Sequence, residues 1–149
     1  ERAGTKSYET KERSTRVSNP PQDRKVYLSG LYTNDDDKMI CQMCENEMPF
    51  RLLNGEYYFE AVQIDDNYLA EMHQLNLALC PVCAAKYKYI LKKDEDALEI
   101  FTSSLEEVDS PPFIFKYENK NGEDHSIRFV ELHLDDVRTI LKTTVEESV

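Results

Sequence analysis

Four cysteines, arranged as two Cys-x-x-Cys pairs, restrict the fold of this chain more than any other feature. The pairs are Cys41 with Cys44 and Cys80 with Cys83, and no cysteine lies elsewhere in the 149 residues. Each Cys-x-x-Cys turn presents two sulfurs to one point, and two such turns supply the four donors of a tetrahedral zinc ion. We therefore predict one structural zinc ion held by Cys41, Cys44, Cys80 and Cys83, with no position left for substrate.

Two other uses of the cysteines stay open at this point. A redox Cys-x-x-Cys pair normally belongs to a βαβ setting, which the pattern does not predict. Two disulfides would suit a secreted chain, whereas paired cysteines with none outside the pairs suggest metal in a reducing compartment. Neither a secretory signal nor a run of about 20 apolar residues is visible. We expect a cytoplasmic protein that makes no membrane contact, and the start at Glu1 suggests a processed or excised piece of a longer chain.

The net charge of −11 is spread unevenly along the chain. Residues 1–25 hold seven Lys or Arg and four Asp or Glu, whereas residues 26–149 hold 11 and 25, a net of −14. Phosphate backbones are bound through clustered Lys and Arg. The acidic balance therefore disfavours general nucleic-acid binding, although a local basic face remains possible.

The composition divides the chain into two parts. Residues 1–25 contain almost no aliphatic side chains and cannot offset the entropy cost of ordering, so we predict a flexible linker or arm that ends near Asn19-Pro20-Pro21. Residues 26–149 contain apolar runs throughout, and we predict that they form one zinc-binding domain of the α+β class. Within it, Val26–Thr33 is expected to be a short helix or an irregular strand.

Between the cysteine pairs, the pattern predicts a β-hairpin. Met48–Leu53 and Tyr57–Ile64 flank Asn54-Gly55, the strongest short turn signal between strands, because both positions tolerate positive φ. Asn67–Leu79 is expected to be helical or irregular. After the second pair, Ala84–Lys93 has good helix formers, with Ala84, Tyr87, Ile90 and Leu91 on one face.

The last third of the sequence predicts further strands and a helix. Leu98–Ser103 is expected to be a strand, and Phe113–Tyr117 with Ser126–Glu131 to form a second hairpin around a turn-rich segment. Leu134, Val137, Ile140 and Leu141 then recur at helical spacing. Asp135 and Asp136 lie in the first turn of this predicted helix, where the helix dipole favours acidic side chains.

The order of cysteine turn, hairpin, cysteine turn and helix resembles a treble-clef zinc finger, and its details resemble the HNH endonucleases that carry added zinc knuckles. The matching pieces are Cys41 to Cys44, Glu60-Ala61-Val62-Gln63-Ile64, and the run from Asn76 through Cys80-Pro81-Val82-Cys83 to Ala84. The resemblance covers residues 39–93, about a third of the chain. It implies a treble-clef core there, with residues 94–149 as an α+β extension.

The resemblance fails at the catalytic positions. The family places two adjacent histidines where this chain has Val62 and Gln63, and another after the second cysteine pair, where it has Ala84. Valine and alanine cannot bind a metal, and a glutamine amide cannot accept a proton at neutral pH. The resemblance therefore implies a degenerate, non-catalytic module, similar to appendages of large bacterial multidomain proteins, that mediates protein or nucleic-acid contacts.

Two alternative functions remain. One is a metal-dependent nuclease that uses other residues, such as Glu60 and His73, with a second metal ion; the other is a purely structural domain of its parent protein. The candidates for nucleic-acid contact are four lysines that follow the second cysteine pair: Lys86, Lys88, Lys92 and Lys93. Lysines in such a pattern more often form the solvent-exposed face of a helix.

Overall fold

The computed structural model describes residues 20–68, 71–107 and 113–148. These residues form four α-helices and two separate two-stranded antiparallel sheets, which confirms the α+β class. The helices are α1 (Pro20–Tyr32), α2 (Pro81–Lys86), α3 (Glu95–Glu107) and α4 (Glu131–Ser148), and the strands are β1 (Glu60–Gln63), β2 (Asn76–Leu79), β3 (Phe113–Glu118) and β4 (Asp124–Phe129). No helix in this part of the chain is both long and apolar enough to cross a membrane.

Helix α1 covers the segment that was expected to be either helix or irregular strand. Two prolines open it, a position where their missing N–H groups would have no intrahelical partner. Its buried side chains are Leu28 and Tyr32, one turn apart. The helix begins at Pro20, inside the segment predicted to be an arm; residues 1–19 of that arm lie outside the described residues.

The predicted hairpin between the cysteine pairs forms only next to its turn. Gly55 has φ 91°, Arg51 and Tyr57 bridge across the turn, and the Tyr58 amide donates to the Phe50 carbonyl at 3.0 Å. The regular strand of this segment, β1, pairs instead with β2, from Glu60 opposite Leu79 to Gln63 opposite Asn76. All four residues of β2 are buried, so β2 offers β1 an apolar partner that the exposed residues 50–56 do not.

Helix α2 follows β2 directly and continues as a π-helical turn over Tyr87–Leu91. The amide of Lys92 donates to the carbonyl of Tyr87 at 2.9 Å, a bond that spans five residues instead of four. The predicted helix is confirmed. Its buried face carries Ala84, Tyr87 and Leu91.

The strand predicted at Leu98–Ser103 is wrong, because this segment lies inside helix α3. Asp94 accepts a hydrogen bond from the Ala97 amide at 3.2 Å, the geometry of an N-cap. Ala97, Phe101 and Leu105 are buried at a spacing of four, which is a helical period.

The second hairpin and the final helix are confirmed. Strands β3 and β4 pair in register from Phe113 opposite Phe129 to Glu118 opposite Asp124. Helix α4 starts at Glu131, so the second strand ends two residues earlier than predicted. An aromatic cluster fills the space between this hairpin and α3, with ring centroids 4.8–6.3 Å apart in the contacting pairs: Tyr87, Phe101, Phe113, Phe115 and Phe129.

The fully buried His133 joins α4 to α1 and to a short 3₁₀ turn at His73–Leu75. Its Nδ1 lies 2.6 Å from the Tyr32 hydroxyl, and its Nε2 lies 2.9 Å from the Gln74 carbonyl oxygen. A carbonyl only accepts, so Nε2 carries the proton and Nδ1 accepts from the hydroxyl. His133 is thus a packing residue with both ring nitrogens satisfied.

Candidate metal centre

A tight turn places the first two cysteines. Residues Ile40 and Glu47 bridge as antiparallel partners, and the amide of Cys41 donates to the Asn46 carbonyl at 3.0 Å. Glu45 closes the turn with a left-handed φ of 59°. The chain therefore reverses its direction immediately after Cys44. Such a knuckle directs the sulfurs of Cys41 and Cys44 to one point.

The second pair lies where β2 passes into α2. Cys80 is the N-cap residue of α2, and its sulfur accepts a hydrogen bond from the Cys83 amide at 3.4 Å. Pro81 fixes the first helical position. Because Cys80 precedes the helix and Cys83 occupies its first turn, both sulfurs emerge at the same helix end.

The structure brings the two pairs together. All four sulfurs lie within 4.8 Å of one another, and none takes part in a disulfide. Among the residues that the structure describes, this is the one group of three or more His, Cys, Asp or Glu side chains placed closely enough to hold a metal ion. Four converging thiols are a donor set that suits zinc, and the cysteine cluster is compatible with a zinc-binding structural module.

Backbone amides favour negative charge at this cluster. The sulfur of Cys41 accepts hydrogen bonds from the Met43 and Cys80 amides, both at 3.4 Å. The Cys83 side chain hydrogen-bonds to the same sulfur, and chiefly for that reason the pKa of Cys41 is lowered to about 5. Of the cysteines in the cluster, Cys41 is the one whose ionised form these hydrogen bonds favour most.

The remaining thiols show why the cluster needs a cation. Sharing of the Cys83 proton with Cys41 raises the pKa of Cys83, and partial desolvation by neighbouring protein atoms raises the pKa of Cys44, although that residue is exposed. Several thiolates so close together repel one another, so they cannot all ionise without a compensating positive charge. A divalent ion supplies that charge, and metal binding by such a site releases protons.

The exposure of the cysteines differs around the cluster. Cys41 and Cys83 are buried, Cys80 is half-buried and Cys44 is exposed. Four sulfurs complete a tetrahedron, so an ion held here has no open coordination position. The arrangement suits a structural ion that is held close to the surface through Cys44.

Sequence reasoning missed the role of Gln42, which lies between the first two cysteines and is buried. Its side-chain amide donates to the Arg128 carbonyl at 2.9 Å and accepts from the Ala78 amide at 2.7 Å. Its backbone bonds the same two partners, at 3.0 Å to Ala78 and 2.8 Å to Arg128. The knuckle is therefore held between β2 and β4. Nothing in the sequence distinguishes this glutamine from an exposed one.

The four candidate lysines do not form one free cationic surface. Lys88 lies 3.1 Å from the Glu60 carboxylate, and Lys92 lies 2.7 Å from that of Asp66. Lys86 and Lys93 are exposed. Two of the four charges are thus compensated by acidic neighbours.

Glu60 and His73, the candidate nuclease pair, are separated by the β1–β2 ladder. Glu60 pairs with Leu79 at one end of the ladder, and His73 precedes the other end, where Gln63 pairs with Asn76. Three residue steps along a strand span about 10 Å. The structure therefore does not bring these two side chains together.

The side chain of Asn76 holds the turn that precedes β2. Its side-chain amide donates to the His73 carbonyl at 3.2 Å and to the Met72 carbonyl at 3.4 Å. The side chain is buried and fixes the approach to β2, at whose end Cys80 lies.

No family model matches this chain, and comparisons with curated proteins and with solved structures found no significant match either. The metal centre therefore rests on the geometry and chemistry of this chain's own residues.

Proposed function

We propose that this chain is a non-catalytic zinc-binding module, built as an HNH-like treble clef within a larger polypeptide, that mediates contacts with other macromolecules. The observation that carries the proposal is the convergence of four cysteine sulfurs within 4.8 Å. The positions that would perform HNH chemistry hold residues that cannot perform it.

The order of elements around the cluster supports the treble-clef assignment. A knuckle supplies Cys41 and Cys44, an antiparallel strand pair follows, and the end of β2 and the start of α2 supply Cys80 and Cys83. A treble clef takes its ligands from the same kinds of element, in the same order. Zinc would tie the knuckle to the helix start and supply folding free energy to a region of short strands.

Burial of the family's histidine positions supports the absence of catalysis. Val62 and Ala84 are both core residues with almost no exposed surface. The Gln63 amide is engaged as a donor to the Tyr68 carbonyl at 2.8 Å. Two of the three positions are thus part of the hydrophobic core, and none presents a base to water.

The acidic charge and the paired lysines favour a protein partner over nucleic acid. Lys88 and Lys92 already compensate carboxylates, and Lys86 and Lys93 alone would give a small phosphate-binding surface. We expect duplex DNA binding at about 150 mM salt, where exposed charges are screened beyond about 8 Å, to be weak. Submicromolar binding there that Lys86→Ala and Lys93→Ala remove would overturn this preference.

Metal analysis tests the zinc assignment. Protein purified under reducing conditions should contain about one zinc per chain, and Cys80→Ser should lose it. Folded protein without metal, or two intact disulfides in non-reducing mass spectrometry, would refute the proposal.

A plasmid-cleavage assay tests the absence of catalysis. We expect no cleavage when the zinc-loaded protein is incubated with plasmid DNA and Mg²⁺, Mn²⁺ or Ni²⁺. Cleavage that survives further purification and disappears in Glu60→Ala would establish the nuclease alternative instead.

A further inference from the structure

One sulfur-containing residue is more accessible to solvent than the others. The chain has four cysteines and four methionines. Cys41, Cys83 and three of the methionines are buried, and Cys80 and Met72 are half-buried. Among these eight residues, all of which the structure describes, Cys44 alone is exposed. Oxidation of sulfur follows exposure and thiolate character, so an oxidant in solution reacts most readily at Cys44.

A second sulfur lies beside Cys44 in the same turn. Cys41 precedes it by one tight turn, which the Glu45 amide closes by donating to the Cys41 carbonyl at 3.0 Å. The two sulfurs lie within 4.8 Å of each other. A disulfide has an S–S length of about 2.05 Å, so a small movement of the side chains is enough to form one. An exposed cysteine next to a second, resolving cysteine is typical of redox-responsive pairs.

The second cysteine pair is less suited to bond with Cys44. Cys80 caps helix α2 with its sulfur, and Cys83 is buried in the first turn of that helix. A bond from either of them to Cys44 would pull the start of α2 toward the knuckle. A bond between Cys41 and Cys44 changes one turn only.

A disulfide in this turn would nevertheless affect more than the turn. It would remove two of the four sulfur donors, and Cys80 and Cys83 alone cannot complete a tetrahedral site. Gln42 lies between the two oxidised residues, and its side chain bonds Ala78 in β2 and Arg128 in β4. A change in the knuckle is therefore transmitted to both sheets.

The surroundings of Cys44 favour a small, uncharged oxidant. Glu45 and Glu47 follow it in the knuckle, and both are exposed. Arg128 offsets the charge of Glu45 at 3.3 Å, whereas Glu47 accepts a hydrogen bond from the Tyr57 hydroxyl, a neutral donor. The chain as a whole carries a net charge of −11. This charge repels anionic disulfides but not a neutral hydroperoxide.

We propose that Cys44 is a modification site for small hydroperoxides, and that its oxidation to a disulfide with Cys41 opens the metal centre. The inference rests on the zinc-binding module proposed above. It adds a means by which the contacts of that module are switched off under oxidation and restored by a thiol reductant.

The chemistry balances with the hydroperoxide as the only oxidant. The Cys44 thiolate attacks the terminal oxygen; an S–O bond forms, the O–O bond breaks, and the leaving alkoxide or hydroxide takes a proton from water. The Cys41 thiolate then attacks the sulfur of this sulfenic acid; an S–S bond forms, the S–O bond breaks, and the hydroxide that leaves is protonated to water. Each sulfur loses one electron, and the hydroperoxide is reduced by two.

The first experiment uses hydrogen peroxide and zinc-loaded wild type with a chromophoric zinc chelator. We expect zinc to be released with about one disulfide formed for each zinc lost, and peptide mass spectrometry should locate that disulfide at Cys41 and Cys44. Dithiothreitol and added zinc should restore both the thiols and the zinc content. Glutathione disulfide, an anion, should release zinc more slowly than hydrogen peroxide at the same concentration.

The second experiment identifies the residue that reacts first. Dimedone, which traps sulfenic acids, is added with less than one equivalent of hydrogen peroxide, and the adduct should lie mainly on Cys44. Met72→Leu is the matched control, because it removes the most accessible methionine at nearly unchanged volume. Its zinc should be released at the wild-type rate.

Four results would overturn the inference. These are zinc release that is equally fast without hydrogen peroxide, a dimedone adduct mainly on another cysteine, a first disulfide between Cys80 and Cys83, and slower release from Met72→Leu. Zinc content before oxidation separates the two proposals. Reduced, folded protein without zinc refutes the metal centre, whereas zinc-loaded protein that keeps its zinc and its four thiols in hydrogen peroxide refutes only the modification site.

Discussion

The cysteine-bearing segment, residues 39–91, and the C-terminal segment, residues 95–148, reach a folded state by different physical means. The first contains two strands of four residues and a knuckle closed by isolated bridges. The second contains helices of 13 and 18 residues and strands of six, packed around a cluster of phenylalanines. The second segment relies on aromatic burial. The first also buries apolar side chains, and in addition its short elements converge on four cysteines that a metal ion would cross-link.

The two segments meet at Gln42, which bonds β2 on one side and β4 on the other. A residue in the metal knuckle therefore also determines how the C-terminal hairpin is attached. The difference between the segments consequently predicts unequal, but coupled, responses to perturbation.

Metal removal should have the largest effect, and mainly in the first segment. Structural zinc contributes about 10–16 kcal/mol in small zinc-finger peptides, as much as the entire stability of an ordinary domain. We expect Cys80→Ser, or a chelator, to abolish amide protection in residues 39–91, while α3, α4 and the second hairpin keep part of theirs. Hydrogen exchange read by mass spectrometry measures this, with zinc-reloaded wild type as the control. Equal loss in both segments would contradict the comparison.

Truncation of the aromatic cluster should affect the second segment without removing the metal. Phe101 is fully buried, and Phe101→Ala should lower the free energy of unfolding by about 3–5 kcal/mol. Zinc content should stay at about one per chain. Ile100→Ala is the matched control, because Ile100 is 60% exposed and its truncation should cost no more than about 0.5 kcal/mol. Loss of zinc from folded Phe101→Ala would show that the aromatic cluster supports the metal site directly.

Acid should weaken the contact between α1 and α4 through His133. Burial lowers the pKa of His133 from 6.5 to about 4. Between these values the unfolded chain binds a proton that the folded chain does not, so stability is complete above about pH 6.5 and falls as the pH drops toward 4. The loss amounts to about 3 kcal/mol.

Acid would also displace a bound metal ion from both proteins. The relevant quantity is therefore the difference between wild type and His133→Gln in how the free energy of unfolding depends on pH. Denaturant unfolding between pH 4 and about 7 measures it. The free energy of unfolding of the variant should lack the decrease toward pH 4 that protonation of His133 causes in the wild type. Identical slopes in both proteins would mean that His133 is protonated alike in the folded and unfolded states.

Loss of the Gln42 side chain should have the smallest effect and should test the coupling itself. Gln42→Ala leaves the buried Ala78 amide and Arg128 carbonyl without these partners, at a cost of about 1–3 kcal/mol. Gln63→Ala, which removes one side-chain bond to the Tyr68 carbonyl, is the control. Hydrogen exchange should rise at β4 in the Gln42 variant and stay unchanged there in the control. Unchanged exchange at β4 would show that the two segments are independent.

Prediction from the sequence was correct where the local pattern is compatible with only one type of secondary structure. Asn119–Glu123 with Gly122 forms the turn between β3 and β4, and the apolar spacing from Leu134 to Leu141 forms α4. Prediction failed where the local pattern is compatible with both a strand and a helix. Ile100-Phe101-Thr102 has strand-forming residues, but the Asp94 cap and the contacts of Phe101 with Phe115 and Phe129 select the helix.

By itself, the sequence determined the candidate ligands, because only cysteines in two close pairs supply four soft donors from two tight turns. It also determined that Val62, Gln63 and Ala84 can neither hold a metal ion as an imidazole does nor act as a base, since residue identity alone limits what a side chain can bind or protonate. The tertiary structure alone decided that β1 pairs with β2, that Lys88 and Lys92 meet acids, and that Gln42 joins two hairpins. These contacts link residues far apart in the chain, and their free energy depends on burial and distance, which no local pattern encodes.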